Sequence, residues 1–290
     1  MWSPTATRST SCSMSRTSLI AIGHASRDEF PDGRWRLGGS ALYGAATAAR
    51  LGADVTLVTR VGPVERGPLE TLCGELGITL RVLPGKVTTT FGFTYDAAGH
   101  RTLRLLAKAA PITRADVGRA ARAPQAVLLA SIAGELDGSL FAPWSGARRV
   151  LAAQGMLRSF AKDGTVLASR WRGYATLLPK VDAVVVSEED HAEDSAWLPF
   201  TTVVVTQAER GSDLHARGVT THVRAFAVPA VIDPTGAGDA FAAGLALGLA
   251  EGLELVEAAM FASAAASFAV EGLGMSRLAD RSRVRARMRG

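Results

Sequence analysis

A chain of 290 residues has room for one large α/β domain or two small ones. Its 48% hydrophobic and 20% charged residues suit a soluble, core-forming protein, and no apolar run reaches the roughly 18 residues that a membrane span needs. The net charge of +5 comes almost wholly from arginine, without the aromatic-interleaved basic stripe of a nucleic-acid binder; Cys12 and Cys73 supply neither a disulfide framework nor a metal cluster, so a reducing cytoplasm is expected.

Residues 1–17 are rich in Ser, Thr and Arg, carry no acidic residue and show no apolar period. They read as a disordered tail, with Met14 as the expected start of translation, ahead of one domain over 18–290. A short buried-strand pattern over 18–23 ends in His24-Ala25-Ser26-Arg27-Asp28. Ligands of open α/β sheets sit at the carboxyl ends of strands, and Asp28, a carboxylate able to accept hydrogen bonds from hydroxyls, lies just past one; on its own it reads equally as a surface-loop residue. His24 is expected to pack. A brief strand over 34–37 leads to Gly38-Gly39-Ser40 and a helix over 41–51. The double glycine lets the backbone pass close to a ligand. A second strand over 55–61, a helix over 67–76 and a strand over 78–82 follow. The runs 87–95 and 101–106 alternate around a glycine-containing loop at 96–100, which predicts a β-hairpin; with Trp35-Arg36 it would make a small separate sheet.

A helix is expected over 113–122 and strands over 126–130 and 150–153. The second strand leads into Gln154-Gly155-Met156-Leu157-Arg158, where Arg158 either reaches a hydroxyl or phosphate or is solvated. Buried strands over 181–186 and 202–206 end in Ser187-Glu188-Glu189-Asp190 and Gln207-Ala208-Glu209-Arg210-Gly211. Short strands fall at 215–217 and 221–227. An apolar strand end at 231–232 then runs into Asp233-Pro234-Thr235-Gly236-Ala237-Gly238-Asp239, and a helix of small residues follows to 250. A helix N-terminus attracts anions through its free amides and partial positive charge, and the glycines let an anion approach. Asp239 there suits a group that takes a proton from an attacking hydroxyl; alternatively it is only a favourable first-turn residue. A small-residue helix over 255–270 and an arginine-rich, solvated helix within 277–289 complete the chain. No P-loop, no dinucleotide-binding fingerprint and no zinc spacing occurs in the sequence.

The run D-P-T-G-A-G-D-A-F over 233–241 resembles the C-terminal signature of the PfkB, or ribokinase-like, carbohydrate kinases. The resemblance extends over most of 18–270. It implies a ribokinase-like three-layer α/β/α sandwich with a mostly parallel central sheet, and a small β lid with strands within about 30–37 and 87–106. It implies Asp239 as the general base and Gly236, Ala237 and Gly238 as the anion hole. Asp28, Gly38 and Gly39 fall at the family's substrate motif. Tyr43 stands where many ribose and nucleoside kinases of the family carry Asn, which favours another ring; Tyr43 would present its hydroxyl or its flat face. Ala-Gln-Gly-Met-Leu-Arg, ending in Arg158, resembles the branch that includes plant myo-inositol kinases.

On the nucleotide side, Ser187 and Asp190 match the family's N-x-x-E, so Asp190 would hold Mg²⁺ through water. Thr206, Ala208 and Gly211 match its T-x-G-x-x-G turn, with Ala208 in place of the middle glycine. Asp233 and Thr235 match a monovalent-cation site, which implies K⁺. The expected activity is ATP-dependent phosphorylation of a sugar or cyclitol hydroxyl. The alternatives are a nucleoside kinase, or a non-catalytic ligand-binding protein on the same fold. No nucleic acid or membrane is expected as a partner, and the family suggests a homodimer joined through the lid.

Overall fold

A computed structural model of the chain describes residues 16–95, 101–118, 123–141, 144, 146–190 and 195–290. The expected tail at 1–17 and hairpin loop at 96–100 therefore lie almost wholly outside the described residues. The strands are β1 (Ser18–Ile22), β2 (Ser26–Glu29), β3 (Trp35–Gly38), β4 (Asp54–Arg60), β5 (Thr79–Leu83), β6 (Thr89–Tyr95), β7 (Arg101–Ala107), β8 (Ala126–Ala130), β9 (Arg148–Ala152), β10 (Arg158–Phe160), β11 (Val166–Ala168), β12 (Ala183–Ser187), β13 (Thr202–Thr206), β14 (Ser212–Ala216) and β15 (Val219–Val223). The helices are α1 (Ser40–Arg50), α2 (Pro63–Leu76), α3 (Arg114–Val117), α4 (Tyr174–Leu177), α5 (Ala237–Ala250), α6 (Leu255–Ala269) and α7 (Arg281–Arg289).

The main sheet has the order β15-β14-β13-β12-β9-β8-β1-β4-β5. It is parallel except where β14 and β15 fold back as an antiparallel edge. Its inner strands are continuous apolar runs because both faces are buried. Side-chain alternation splits each strand between two cores. Leu19, Ala21, Leu128, Val150 and Val185 face α1, α2, α5 and α6. Ile20, Ile22, Leu129, Leu151 and Val184 face the other way.

The two faces are covered differently. Among the described residues, the second face has short helical turns at Gly138–Phe141, α4, Leu178–Lys180 and Ser195–Trp197 rather than long helices. Buried rings fill the volume. Trp171 meets Trp197 edge-on with centroids 5.6 Å apart, and Phe141 lies 6.4 Å from Trp171. On the first face α5 and α6 pack nearly backbone to backbone: a Cβ on Gly244 would stand 2.8 Å from Ala262 Cα.

The lid is a four-stranded sheet in the order β3-β2-β6-β7. Its strand β2 occupies residues expected to be loop. It forms because Ser26 and Asp28 turn inward while Arg27 and Glu29 turn outward, pairing antiparallel with β3 and parallel with β6. Other expectations change too; the edge strands expected at 215–217 and 221–227 are β14 and β15. Helix α2 starts at Pro63, whose fixed φ suits a first helical position. Helix α3 is described only over Arg114–Val117, and 119–122 lie outside the described residues. Val231 and Ile232 are an exposed loop, held by the Ile232 amide on the Val270 carbonyl at 2.7 Å. The arginines of α7 are docked rather than uniformly solvated: Arg281 binds the Leu51 carbonyl and Glu251, and Arg287 lies 3.5 Å over the Phe268 ring centroid.

Candidate active site

Strand order reverses between β1 and β8. The chain builds outward through β4 and β5 on one side and through β9, β12 and β13 on the other. Loops diverge at such a switch point and leave a crevice at the carboxyl ends of the strands. The first turn of α5 meets this crevice. Asp239, half-buried, takes a hydrogen bond from Ser40 at the start of α1 and feels the charges of Arg158 and Asp28. Burial is the main cause that pushes its carboxyl up to about 6. The Asp28 charge adds to the rise, while Ser40 and Arg158 hold it down. A carboxyl so poised is ionised at neutral pH and yet basic enough to accept a proton.

Asp28 is buried in β2 and accepts from Ser26 Oγ at 2.9 Å. A Cβ on Gly38 of the neighbouring strand would stand 2.3 Å from Asp28 Oδ2, so a residue without a side chain is required there. Gly39 then opens α1 at φ 98°. At the far side, Gly236 caps α5 at φ 84° with no side-chain cap. The Ala237 amide turns back to the Pro234 carbonyl at 3.3 Å. Among the described residues, the amides of Gly236 and Gly238 have no acceptor outside the helix. A Cβ on Gly238 would meet nothing within 4 Å, so the space before this turn is open to an anion.

Two expected roles do not survive the geometry. Tyr43 presents neither ring nor hydroxyl to a ligand: it is 1% exposed, and a Cβ on Gly236 would stand 2.2 Å from its Cδ1. The ring is a buried wedge under the glycine turn that opens α5, and among the described residues its hydroxyl has no hydrogen-bond partner. Burial, chiefly, raises the phenol's pKa. The second role is the K⁺ site. Asp233 and Thr235 are indeed adjacent, but the guanidinium of Arg36 is on them: Nη1 donates to Asp233 Oδ2 at 2.9 Å, and Nη2 reaches Thr235 Oγ1 at 3.4 Å. The Thr235 and Gly274 amides also donate to Asp233, at 3.0 and 3.2 Å. Burial works to raise the Asp233 pKa, but these donors and Arg36 together bring it below the ordinary carboxylate value. A second cation about 4 Å from the guanidinium would be repelled by about 4 kcal/mol at an effective dielectric near 20. The residues present do not fit K⁺.

The expected nucleotide-side residues lie at the ends of β12 and β13 and in the turns that follow them. Ser187 Oγ donates to Asp190 Oδ2 at 2.9 Å, and Gln154 Nε2 reaches the same oxygen at 3.3 Å. Thr206 is joined to the next loop through its carbonyl, which accepts from the Glu188 amide at 3.0 Å. Ala208 keeps the left-handed backbone of a glycine, at φ 50°, and Gly211 sits at φ 106° with a would-be Cβ 2.1 Å from the Val223 carbonyl oxygen. Asp190 Oδ1 has no hydrogen-bond partner among the described residues, which suits a ligand to metal-bound water. His24 packs as expected, with Nε2 on the Ala110 carbonyl and Nδ1 beside Thr89 Oγ1.

Ser40 and Arg36 are neighbours of the candidate residues that sequence patterns did not single out. Ser40 adjoins the double glycine, which is a usable signal. Arg36 is an ordinary lid-strand residue until the fold brings it to Asp233.

Residues 17–280 match a family described as pfkB family carbohydrate kinase. The chain is 31% identical over 263 residues to a fructokinase of Klebsiella pneumoniae, covering 80% of this chain and 84% of that protein. It is 32% identical over 251 residues to an inositol 3-kinase of Oryza sativa subsp. japonica, covering 79% of this chain and 58% of that one. The chain thus spans little more than half of the rice relative's length. Among solved structures, a pyrophosphate-dependent kinase in the ribokinase family, complexed with a pyrophosphate analog and myo-inositol, superposes with a TM-score of 0.78 at 21% identity. That match covers 92% of this chain and 99% of the other, and establishes a common ribokinase fold.

Proposed function

Because the chain belongs to the pfkB family of carbohydrate kinases, we propose that it transfers a phosphoryl group to a hydroxyl of an unphosphorylated sugar or cyclitol, with Asp239 as general base. The observation that carries this reading is the convergence of Asp239, Ser40, Asp28 and Arg158 before the uncapped first turn of α5. Phosphoryl transfer is mostly positioning and charge stabilisation. Asp28 orients the acceptor by taking hydrogen bonds from its hydroxyls. As the acceptor oxygen bonds to the terminal phosphorus of ATP, its proton passes to an Asp239 oxygen, and the bond to the leaving diphosphate breaks. The amides of Gly236 and Gly238 and the partial charge of the α5 N-terminus hold the charge on the phosphoryl oxygens. Arg158 faces Asp239 with a compensating positive charge.

Mg²⁺ bound to the donor would neutralise its phosphates. Asp190, held by Ser187 and Gln154, is the residue to retain it through water. Ser187, Thr206, Ala208 and Gly211 form the nucleotide side. A hexose or cyclitol is favoured over a nucleoside because the two relatives with broad coverage are named fructokinase and inositol 3-kinase. The buried Tyr43 offers no stacking face for a base. A non-catalytic role is not favoured, since Asp239 and its glycine turn are intact. We place the protein in the cytoplasm, where ATP is made, and assign dimerisation to the lid, where Leu106 is exposed.

The test is a turnover panel of hexoses, inositols, nucleosides and sugar phosphates, each with ATP and with pyrophosphate as donor. The expected result is highest kcat/KM for an unphosphorylated hexose or inositol with ATP. Higher kcat/KM for a nucleoside, or no turnover with any pair, overturns the proposal.

A further inference from the structure

The contact between Arg36 and Asp233 spans 197 positions of sequence and ties the lid to the loop bearing the anion hole. Local structure aims it. Arg36 lies opposite Asp28 in the β2–β3 register, and its guanidinium is 5.1 Å from the ring centroid of Phe30. The Phe30 ring is itself stacked on Phe93, with centroids 5.4 Å apart. The head group is thereby delivered to Asp233 Oδ2 and Thr235 Oγ1. We infer that the guanidinium of Arg36 is the built-in cation of the anion-hole loop, so that this enzyme works without K⁺ or any other monovalent cation.

Three observations carry this. Asp233 is buried, and its charge needs a counter-charge; Arg36 supplies one at 2.9 Å. The side-chain oxygens a cation would use are already engaged, Asp233 by Arg36 and the amides of Thr235 and Gly274, and Thr235 Oγ1 by Arg36. The loop so braced ends in left-handed Gly236, whose conformation sets the first turn of α5. A guanidinium forks across two oxygens, so it fixes both charge and shape there. An exchangeable ion would be lost on dilution, whereas Arg36 is part of the chain.

The inference rests on the kinase reading for its turnover arm only. The full chain is assayed with its best donor–acceptor pair in KCl and in tetramethylammonium chloride at equal ionic strength, and its melting temperature is taken in both salts. The expected result is kcat and donor KM unchanged within about twofold and equal melting temperatures. Activation by K⁺ of about tenfold or more, or a K⁺-specific rise in melting temperature, overturns the inference. Arg36→Ala is expected to lose about tenfold or more in kcat in tetramethylammonium and to regain part of it in KCl. Unchanged turnover of Arg36→Ala without K⁺ also overturns it. If Arg36→Ala does not fold, the wild-type comparison decides alone. If no acceptor turns over in either salt, the kinase reading fails, and the melting comparison still reads the site.

Discussion

On the proposed reading, Asp239 acts as a base where burial disfavours its charge. Its folded pKa of about 6 lies above the 3.8 of an ordinary aspartate, so the folded chain holds the proton more tightly than the unfolded one. The stability this group adds is therefore fully present below about pH 4 and is lost as pH rises through about 6. Asparagine cannot ionise and does not suffer that loss. Asp239→Asn is expected to lower kcat by about 10²–10⁴-fold. The same variant should melt a few degrees above wild type near pH 7.5, with the difference closing near pH 4. Calorimetry at both pH values checks the sign, and a lower melting temperature near pH 7.5 would contradict it. In the wild type, kcat/KM should fall below about pH 6 as the base is protonated. Gly238 gives a second residue-scale test. A methyl there meets no atom of the fold within 4 Å, and on the proposed reading it crowds an anion held at the α5 turn. Gly238→Ala should keep the wild-type melting temperature and lose about tenfold or more in turnover. If turnover is kept, the anion does not bind at this turn.

At the scale of elements, what could be read in the sequence was what apolar periodicity or a compact motif reports. Strands β1, β8, β12 and β13 are uninterrupted apolar runs, and their bounds agree with expectation to within a residue or two. Asp239, the glycine turn and Asp28 lie in local motifs, so their roles as candidates were visible. Strand β2 was not, because four polar residues owe their conformation to partners on both sides. Tyr43 and Arg36 were not either. Tyr43 lies three residues after Ser40 on the α1 face that meets α5, and only the packed fold shows that the face is closed. The docking of α7 has the same origin. Arg287 stacks on Phe268 and binds Ser267 at 2.8 Å and Glu271 at 2.7 Å. Arg287→Ala should thus destabilise the fold by about 1–2 kcal/mol through the lost stacking, the hydrogen bond to Ser267 and the ion pair with Glu271. Urea titration should show a lower midpoint with kcat unchanged. An unchanged midpoint would return α7 to the status of a solvated helix.

Over the whole molecule, the lid and the body are joined by charged contacts as well as by the chain. Arg36 reaches Asp233, and Arg27 of β2 reaches Glu65 of α2 at 3.0 Å. The four tryptophans among the described residues are divided between the same two parts. Trp144, Trp171 and Trp197 are buried together on the face of the main sheet away from α5, whereas Trp35 is half-buried in lid strand β3 with the Arg27 guanidinium 4.7 Å over its ring. Trp2 lies outside the described residues. If the lid settles over the acceptor, the surroundings of Trp35 change while those of the three core rings do not. Saturating acceptor should therefore shift or quench the intrinsic emission of the wild type. Trp35→Phe should abolish that response, retain turnover and keep the large emission change on unfolding, which the core rings report. A response to acceptor that persists in Trp35→Phe would mean that binding is felt in the body of the sheet, and that the lid is not the part that moves.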